Sequence, residues 1–494
     1  MQQQRRATVP GAGGGAFLQL RSLPPALRPL VRAYLLGYAS AVAPRLLTLI
    51  LQHLSRRRTK NKKTLPAELD ERTFGESVVH VLRTGLEPQR FPTFCAVLVG
   101  GSTLLQEPLK RIIARVATGL GDTARLRIAR WLASLVAASF SLRLLQSKPG
   151  LPRRDSSSAV AAQADRDAQG GKKFAGRTLD LTLFAATQAV DVIVGELWSR
   201  HRARRTAARK WTKGEQFISR MIDPLTFVAS CGTIMWAWFY SPDSLPSGYN
   251  RWITSAAHVD LRLIEALRRA RSGELRYAEE TGQAPLLGAM CKDYGLPYEW
   301  GDPVKVVPFP CDIVHMGRGP SCEYHAWRRF WLSWRWAMYT YLPLALALQL
   351  RKPTRKSPLL ALLSASRSSA FLATFITFFY YGVCLGRTRV GPHLVGKTVP
   401  CRQRIDSGLC VGAGCFLCGW SVLIETASRR RDMALFVAPR AMATLLPRRC
   451  AADKQWRETL VFAASVAVVF TCALENPERV RGMMGGILGL TMRN

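Results

Sequence analysis

Four side chains that can ligate a metal ion lie close together in a polar stretch of this 494-residue chain. They are Cys311, His315, Cys322 and His325. Thiolates and neutral imidazoles are good zinc ligands, and two of each can complete a tetrahedron. The spacing Cys-x3-His-x6-Cys-x2-His is not that of a standard zinc finger. The pattern therefore predicts either a zinc site or a small domain shaped by buried thiols and hydrogen-bonded histidines.

Catalytic motifs are scarce elsewhere in the chain. It contains no glycine-rich phosphate loop, no Gly-x-Ser-x-Gly turn and no His-Glu-x-x-His helix. Asp312 beside His315 would suit the acid/base pair of a membrane acyltransferase, and this stays the alternative to a protein that is not an enzyme. Cys415 and Cys418 form a CxxC pair inside an apolar stretch, so we interpret them as packing residues rather than a redox pair.

Eight apolar segments surround this polar stretch. They cover about 91–109, 129–146, 180–198, 221–240, 369–386, 407–425, 433–447 and 457–475. Most approach the roughly 20 residues that a helix needs to cross a bilayer. The run 370–384 carries no charge and has no polar face, which a soluble helix would show. We therefore expect an all-α, multi-pass integral membrane protein.

The segments can be aligned as two diverged copies of a four-helix unit. Residues 225–230 match 460–465, and upstream Asp180 and Phe184 fall on Asp432 and Phe436. Repeated sets of apolar segments are typical of membrane proteins built from structural repeats. The sequence thus predicts two repeats of about four transmembrane helices that flank a Cys/His-rich loop domain.

Five ranges follow from this division. They are a basic N-terminal segment at 1–67, a first membrane repeat at 68–240, a Cys/His-rich soluble domain at 241–336, an apolar segment at 337–350 that crosses or lies on the membrane, and a second membrane repeat at 351–494. The first 67 residues hold nine Arg and three Lys but no acidic residue. Their apolar positions from Leu27 onward have helical spacing opposite Arg28 and Arg32, which predicts a helix lying in the membrane interface.

The net charge of +37 is concentrated beside the apolar segments. The stretch 200–213 alone holds seven Lys or Arg. Such flanks bind anionic lipid headgroups. Phosphate neutralisation on nucleic acid would need the same charge, but no nucleic-acid-binding motif accompanies it. We expect an anionic bilayer as the partner, and no nucleic acid.

Polar and small residues inside the segments predict two further features. Gln188, Asp191 and Arg440 are candidates for an intramembrane polar path, because polar groups in a bilayer tend to face a partner or a cavity. Small side chains allow close helix packing in lipid. The packing candidates are Gly100, Gly101, Gly408, Gly412, Cys415 and Gly419.

The Cys/His stretch also resembles a known family. Cys311, His315, Cys322 and His325, followed by a Trp- and Arg-rich segment and a membrane entry at 341–343, are similar to the cysteine-rich domain of the transmembrane protein 135 family, also called peroxisomal membrane protein 52. The blocks 221–230 and 475–478 resemble fungal members. The likeness extends over nearly the whole chain after residue 25.

The resemblance implies a place and a role. It implies a peroxisomal membrane, with a mitochondrial membrane as the alternative, and links to lipid metabolism and organelle dynamics. The family is distantly similar to channel subunits of inner-membrane protein translocases. From this we expect a non-catalytic role in the passage of lipids, metabolites or polypeptides, or in organelle organisation as a scaffold. Other organellar membrane proteins or a second copy of the chain are the expected protein partners.

Overall fold

The computed structural model describes residues 23–59, 74–147, 174–175, 178–349, 357–447, 450–451 and 454–492. These residues are almost wholly helical. Their strands are limited to one antiparallel pair of two residues each, Phe174–Ala175 with Cys450–Ala451. The predicted all-α class is confirmed.

Nineteen α-helices are formed by the described residues. They are α1 Arg28–Thr59, α2 Phe74–Gly85, α3 Phe91–Leu104, α4 Gln106–Val116, α5 Asp122–Gln146, α6 Leu179–Ala207, α7 Lys213–Tyr240, α8 Ser247–Ala257, α9 Leu261–Ser272, α10 Ala284–Asp293, α11 Cys311–Val314, α12 Cys322–Gln349, α13 Ser357–Thr388, α14 Val390–Leu394, α15 Val399–Arg404, α16 Cys410–Cys418, α17 Ala427–Leu445, α18 Gln455–Glu475 and α19 Gly482–Met492.

Six helical stretches among the described residues are long and apolar enough to cross a membrane. They are Pro25–Ile50, Asp122–Gln146, Leu179–Ala207, Ser357–Leu394, Val399–Ile424 and Gln455–Glu475. Five of them coincide with predicted segments. The described part of the chain is therefore that of an all-α, multi-pass membrane protein.

Three predicted segments are helical but fall outside this set. At 91–109 the helix α3 ends at Leu104 after 14 residues, a length of about 21 Å. At 221–240 and 433–447 the apolar residues belong to α7 and α17, whose first halves are charged. The N-terminal helix predicted to lie in the membrane interface is itself one of the six. Its stretch Pro25–Ile50 is long and apolar enough to cross although it carries Arg28, Arg32 and Arg45.

The described residues divide into two compact units, one within 1–201 and 449–494, the other within 202–448. In the first unit α18 packs against α5, and in the second α7 packs against α17 and α16. The units therefore differ from the predicted ranges 68–240 and 351–494. The first unit includes α18, which was assigned to 351–494, and the second unit includes α7, most of which was assigned as the last span of 68–240. The duplication itself stays a prediction.

The core of the first unit lies between α3, α5, α6 and α18. Its largest buried members include Phe94, Leu142, Phe462 and Phe470. Gly100 allows α1 to pack closely against α3, since a Cβ atom there would lie 2.7 Å from the Leu30 side chain.

The second unit has a membrane-helix core and a separate loop-domain core. The first joins α7, α13, α16 and α17 through residues such as Trp238, Phe379 and Cys418. The second belongs to the predicted soluble domain and includes Leu287, Met290 and Ile313. At the end of this domain α12 runs without a break from Cys322 to Gln349, so the predicted boundary at 336–337 lies inside one helix.

Candidate metal centre and apolar cavity

Three of the four predicted metal ligands come together in the second unit. Cys311 begins α11, Cys322 begins α12, and His315 directly follows α11. One ligand atom from each lies within 4.8 Å of the other two. The two sulfur atoms are 3.9 Å apart. A cluster of two thiols and one imidazole at this separation could hold a metal ion.

The His315 ring is fixed in the orientation that a ligand needs. Its Nδ1 lies 2.7 Å from the carbonyl oxygen of Gly319, which can only accept a hydrogen bond. Nδ1 therefore carries a proton, and Nε2 is the ring nitrogen that faces the cluster. Gly319 supplies this carbonyl from a backbone with φ of +88°, a conformation that favours glycine. The Asp312 carboxylate does not take this place, so the acid/base pair with His315 is not formed.

A cysteine that the sequence pattern did not single out joins the cluster from a membrane helix. Cys384 lies near the end of α13, and its Sγ is 3.4 Å from His315 Nε2. Its thiol also hydrogen-bonds to Cys322. Cys384 follows His315 by 69 residues and sits in an uncharged apolar run, so local spacing could not connect them. The sequence offered only a single cysteine in an uncharged, mostly apolar segment as a signal.

The cluster separates the pKa values of its two loop-domain thiols. The hydrogen bond from Cys384 is the main cause that lowers the pKa of Cys322 to about 5, and His315 acts in the same direction. Burial raises the pKa of Cys311 to about 11. The lowered pKa favours the thiolate of Cys322, the form in which cysteine binds metals.

The fourth predicted ligand, His325, lies beside the cluster rather than in it. Its ring stacks on that of His315, with centroids 4.3 Å apart and planes 12° from parallel. Burial lowers the pKa of His325 to about 3, so the ring is neutral. Its buried Nδ1 has no hydrogen-bond partner among the described residues. One turn further along α12, the buried Arg329 stacks on Tyr380, 4.0 Å from the ring centroid.

A buried ion pair lies on the same turn of α13 as Cys384. Arg387 donates two hydrogen bonds to Asp406, at 2.7 and 2.9 Å, and a third to the carbonyl oxygen of Phe309 in the loop domain. The hydroxyl of Tyr277 donates to Asp406 at 2.5 Å. Burial, followed by the Asp406 charge, raises the pKa of Tyr277 well above its usual value. The last turns of α13 are thus attached to the loop domain by polar contacts.

The second unit also contains an apolar cavity of about 410 Å³, formed by α7, α8, α12, α13 and α17. Ten of its twenty lining residues are aromatic and none is charged. The aromatic members are Phe227, Trp238, Tyr249, Trp252, Tyr341, Phe371, Phe375, Phe379, Tyr380 and Phe436. The volume is within the range of about 300–1,000 Å³ that ligand sites occupy. The lining suits an apolar molecule.

A second cavity, of about 470 Å³, adjoins the first and shares Tyr341, Phe371 and Met433 with it. Its wall is more polar, because Glu425 and Arg429 contribute to it and form an ion pair at 3.5 Å. Ser368 donates to the same carboxylate at 2.7 Å. Together the two cavities follow one side of α13.

Arg440, a candidate for the polar path, is next to the apolar cavity. Its guanidinium carbon lies 3.6 Å from the Phe436 ring centroid and 6.0 Å from that of Tyr249, and both rings line the cavity. One of its nitrogens donates to the Phe436 carbonyl oxygen at 2.5 Å. Among the described residues no carboxylate pairs with it.

The other two path candidates belong to the first unit. Gln188 is buried on α6, and its Oε1 has no hydrogen-bond partner among the described residues. Asp191, one turn on, accepts a hydrogen bond from Arg481 at 3.0 Å. Asp191 thus has an ion-pair partner, Arg481, within the first unit. A single path through Gln188, Asp191 and Arg440 stays a prediction.

The predicted packing residues differ in what surrounds them. A Cβ atom on Gly419 would lie 2.6 Å from the Val228 backbone, and one on Gly101 would lie 3.0 Å from Ala137. Gly412 has ordinary space, whereas buried Cys415 lies against α7 through its carbonyl. Gly408 and Gly412 do not share one helix face, because Gly408 has φ of +151° in a kinked turn before α16.

Comparisons of this chain with protein-family models, with curated proteins and with solved structures found no match. The resemblance to the transmembrane protein 135 family therefore stays a prediction.

Proposed function

We propose that this membrane protein binds the apolar chain of a lipid inside its second unit and passes it along α13, without catalysis. The observation that carries the proposal is the cavity of about 410 Å³ with an uncharged, half-aromatic lining. Apolar pockets with few polar groups are the sites that proteins use for small apolar ligands.

The length of the two cavities supports passage as well as binding. Their lining residues on α13 run from Ala361 to Tyr380. At 1.5 Å per residue this is about 28 Å of helix. The hydrocarbon core of a bilayer is about 30 Å thick. Two adjoining cavities on a helix of this kind would shelter an acyl chain over most of that distance.

Arg440 can bind a polar end of the proposed ligand. A guanidinium beside an apolar cavity, with a backbone carbonyl as its acceptor, can bind a carboxylate or a phosphate through charge-assisted hydrogen bonds. We propose that the ligand is an anionic amphiphile, either a fatty acid or an anionic phospholipid.

The family and location are part of the same proposal. Membership of the transmembrane protein 135 family, a peroxisomal or mitochondrial membrane, and a contribution to lipid metabolism would agree with a lipid-binding cavity. The acyltransferase alternative would need an acid/base pair, and Asp312 does not provide one to His315.

Filling the cavity tests the proposal. Ala256 lines the cavity on α8, and its neighbour Ser255 is exposed. Purified protein carrying Ala256→Phe should incorporate a photoreactive palmitic acid about tenfold less than wild type, whereas Ser255→Phe should match wild type. Equal labelling of both variants, with unchanged gel-filtration profiles, would overturn the proposal.

Removing the charge tests the polar end. Arg440→Gln should weaken binding of the photoreactive fatty acid and of a photoreactive phosphatidic acid, but not of a neutral alkyl alcohol probe. Arg251→Gln, which removes an exposed arginine from α8, is the matched control. Preference for the fatty acid over phosphatidic acid, or the reverse, identifies the source of the anion. Loss of all three probes in Arg440→Gln would exclude the headgroup role.

We also propose that the Cys311, His315 and Cys322 cluster binds zinc as a structural metal. The donor set of thiolates and imidazole is typical of structural zinc sites. Elemental analysis of the purified protein should give about one zinc per chain, lost when Cys311 and Cys322 are changed to serine. Protein without metal would leave these residues as buried structural side chains.

A further inference from the structure

We propose that Cys384 is the fourth ligand of the zinc site, so that a metal joins the loop domain to membrane helix α13. This rests on the proposed zinc binding and completes its ligand set to three cysteines and one histidine, in place of the two cysteines and two histidines predicted from the sequence. The metal would have loop-domain ligands in Cys311, His315 and Cys322, and one ligand from a helix long and apolar enough to span the bilayer.

Two of the ligand–ligand distances match the edges of a zinc tetrahedron. With Zn–S near 2.3 Å and Zn–N near 2.0–2.1 Å, two sulfurs should be separated by about 3.8 Å, and a sulfur and a nitrogen by about 3.5 Å. The Cys311 and Cys322 sulfurs are 3.9 Å apart. His315 Nε2 and Cys384 Sγ are 3.4 Å apart. These two separations fit ligands of one metal. The set whose ligand atoms all lie within 4.8 Å of one another comprises Cys311, His315 and Cys322, so Cys384 reaches the fourth corner by a movement of its side chain toward the metal.

The second shell also favours His315 Nε2 as the nitrogen ligand. Its Nδ1 proton is held by the carbonyl oxygen of Gly319 at 2.7 Å. Metal-binding histidines generally donate their second nitrogen to a carboxylate or a carbonyl in this way. The same ring nitrogen that is left free for a metal is the one that faces Cys384.

Ring geometry excludes His325 from the same tetrahedron. A zinc–imidazole bond lies in the plane of the ring and is about 2.0–2.1 Å long. The planes of His315 and His325 are within 12° of parallel, and the ring centroids are 4.3 Å apart. A metal in the plane of His315 therefore lies outside the plane of His325. His325 packs against the ligand rather than binding beside it.

Charge and position agree with this ligand set. Three thiolates and Zn²⁺ carry a net charge of −1, which a buried cation can offset. Arg329 is buried on α12, one turn beyond His325, and two of its guanidinium nitrogens have no hydrogen-bond partner among the described residues. Arg387 follows Cys384 by three residues on α13 and reaches the Phe309 carbonyl of the loop domain. The metal, through Cys384, and Arg387 would thus attach the same turn of α13 to the loop domain.

Zinc content and cobalt spectra test the proposal on the full-length protein in detergent. Wild type, His325→Ala and Cys291→Ala should each hold about one zinc per chain; Cys291 is a buried cysteine of the loop-domain core and serves as the control. Cys384→Ala should bind zinc at least about 100-fold more weakly in competition with a chelator, since loss of a second-shell partner alone costs about 10–100-fold.

Cobalt substitution of the wild type provides a readout that does not depend on any variant's folding. Co²⁺ in the site should give tetrahedral d–d bands and a sulfur-to-metal charge-transfer intensity that corresponds to three thiolates. A charge-transfer intensity that corresponds to only two thiolates would overturn Cys384 as the fourth ligand while leaving zinc binding intact. Zinc that is retained in Cys384→Ala but lost in His325→Ala would do the same. Metal-free wild type that also fails to take up cobalt would overturn both.

Discussion

Arg387 and Asp406 form a doubly hydrogen-bonded ion pair whose side chains are only 6% and 3% exposed. The guanidinium nitrogens Nε and Nη2 each donate to one carboxylate oxygen, and Tyr277 donates to the second of these. A buried ion pair of this kind does not necessarily add stability compared with apolar residues of the same size. Breaking it leaves one charge without compensation, which is costly.

Single and double substitutions of this pair should therefore have opposite consequences. Arg387→Leu should lower the free energy of unfolding by about 3–5 kcal/mol, because Asp406 would stay buried and charged. The double variant Arg387→Leu/Asp406→Leu should recover most of that loss. Thermal unfolding in detergent measures both.

The control for this pair is an exposed one. Arg389 pairs with Glu323 at the surface, with side chains 57% and 52% exposed. Arg389→Leu should change stability by about 0–1 kcal/mol. If Arg387→Leu/Asp406→Leu were less stable than Arg387→Leu alone, the expected recovery would be contradicted, and the Arg387–Asp406 pair itself would be shown to stabilise the fold.

Close contact between α13 and α16 makes Gly382 sensitive to a single methyl group. A Cβ atom there would lie 2.8 Å from the Gly414 backbone, whereas one on Gly412 would find its nearest neighbour at 3.9 Å. Gly382→Ala should lower stability by about 1–3 kcal/mol through overpacking. Gly412→Ala should be neutral or stabilising by up to about 1 kcal/mol, because alanine favours the helix. Equal melting temperatures for the two variants would contradict this packing.

Asp260 should make the loop domain sensitive to acid. It caps α9 by accepting from the Arg262 backbone N–H at 2.9 Å, and its carboxylate also pairs with the Arg262 guanidinium. The side-chain hydrogen bond from Arg262 is the main cause that lowers the pKa of Asp260. Its ionic contribution is therefore complete above about pH 4, the usual aspartate value, and is lost as the pH falls through the lowered pKa.

Two variants separate the cap from the charge of Asp260. Asp260→Ala should cost about 1 kcal/mol or more at pH 7, because it removes the cap. Asp260→Asn keeps an acceptor for the cap but removes the ion pair, so its deficit relative to wild type should shrink between pH 5 and pH 3. Melting temperatures of the three proteins over this range provide the measurement. A deficit for Asp260→Asn that is independent of pH would exclude the ionic contribution.

The orientation of the two predicted repeats can be read from cysteine labelling. The apolar part of α12, predicted to cross or to lie on the membrane, is not among the six stretches long and apolar enough to span. If it does not cross, the loop before α7 and the loop before α18 lie on the same side of the membrane. Single cysteines at the exposed positions Ala208 and Lys454, treated with an impermeant maleimide in sealed vesicles, should be labelled together. Opposite labelling would mean that α12 crosses and that the repeats are inverted.

Helix positions were predictable from the sequence because hydrophobic segments are a local signal. The uncharged run 370–384 is the middle of α13, and 457–475 is nearly the whole of α18. Boundaries were harder to predict. The helix α3 ends at Leu104, five residues before the predicted end of its segment, and α12 continues through the predicted boundary at residue 336.

The site was predictable only as far as sequence proximity extends. Cys311, His315 and Cys322 occur within 12 residues and do meet. His325 is equally close in sequence, but its ring stacks on that of His315 and does not point at the position that a metal would occupy. Cys384 and Asp406 are placed by tertiary packing of α13 and the turn before α16, which no local pattern encodes. The apolar cavity likewise depends on five helices distant in the chain.

The compact unit formed within 1–201 and 449–494 has a consequence for biosynthesis. Phe94 and Leu142, in the early part of that unit, are buried against Phe462 and Phe470 of α18. After α5 ends at Gln146, a ribosome must add about 330 further residues before α18 is complete at Glu475, which takes about 16–66 s at 5–20 residues per second. During that interval the faces of α3 and α5 that α18 covers must be occupied by lipid or by a chaperone, and the second unit can fold before the first is complete.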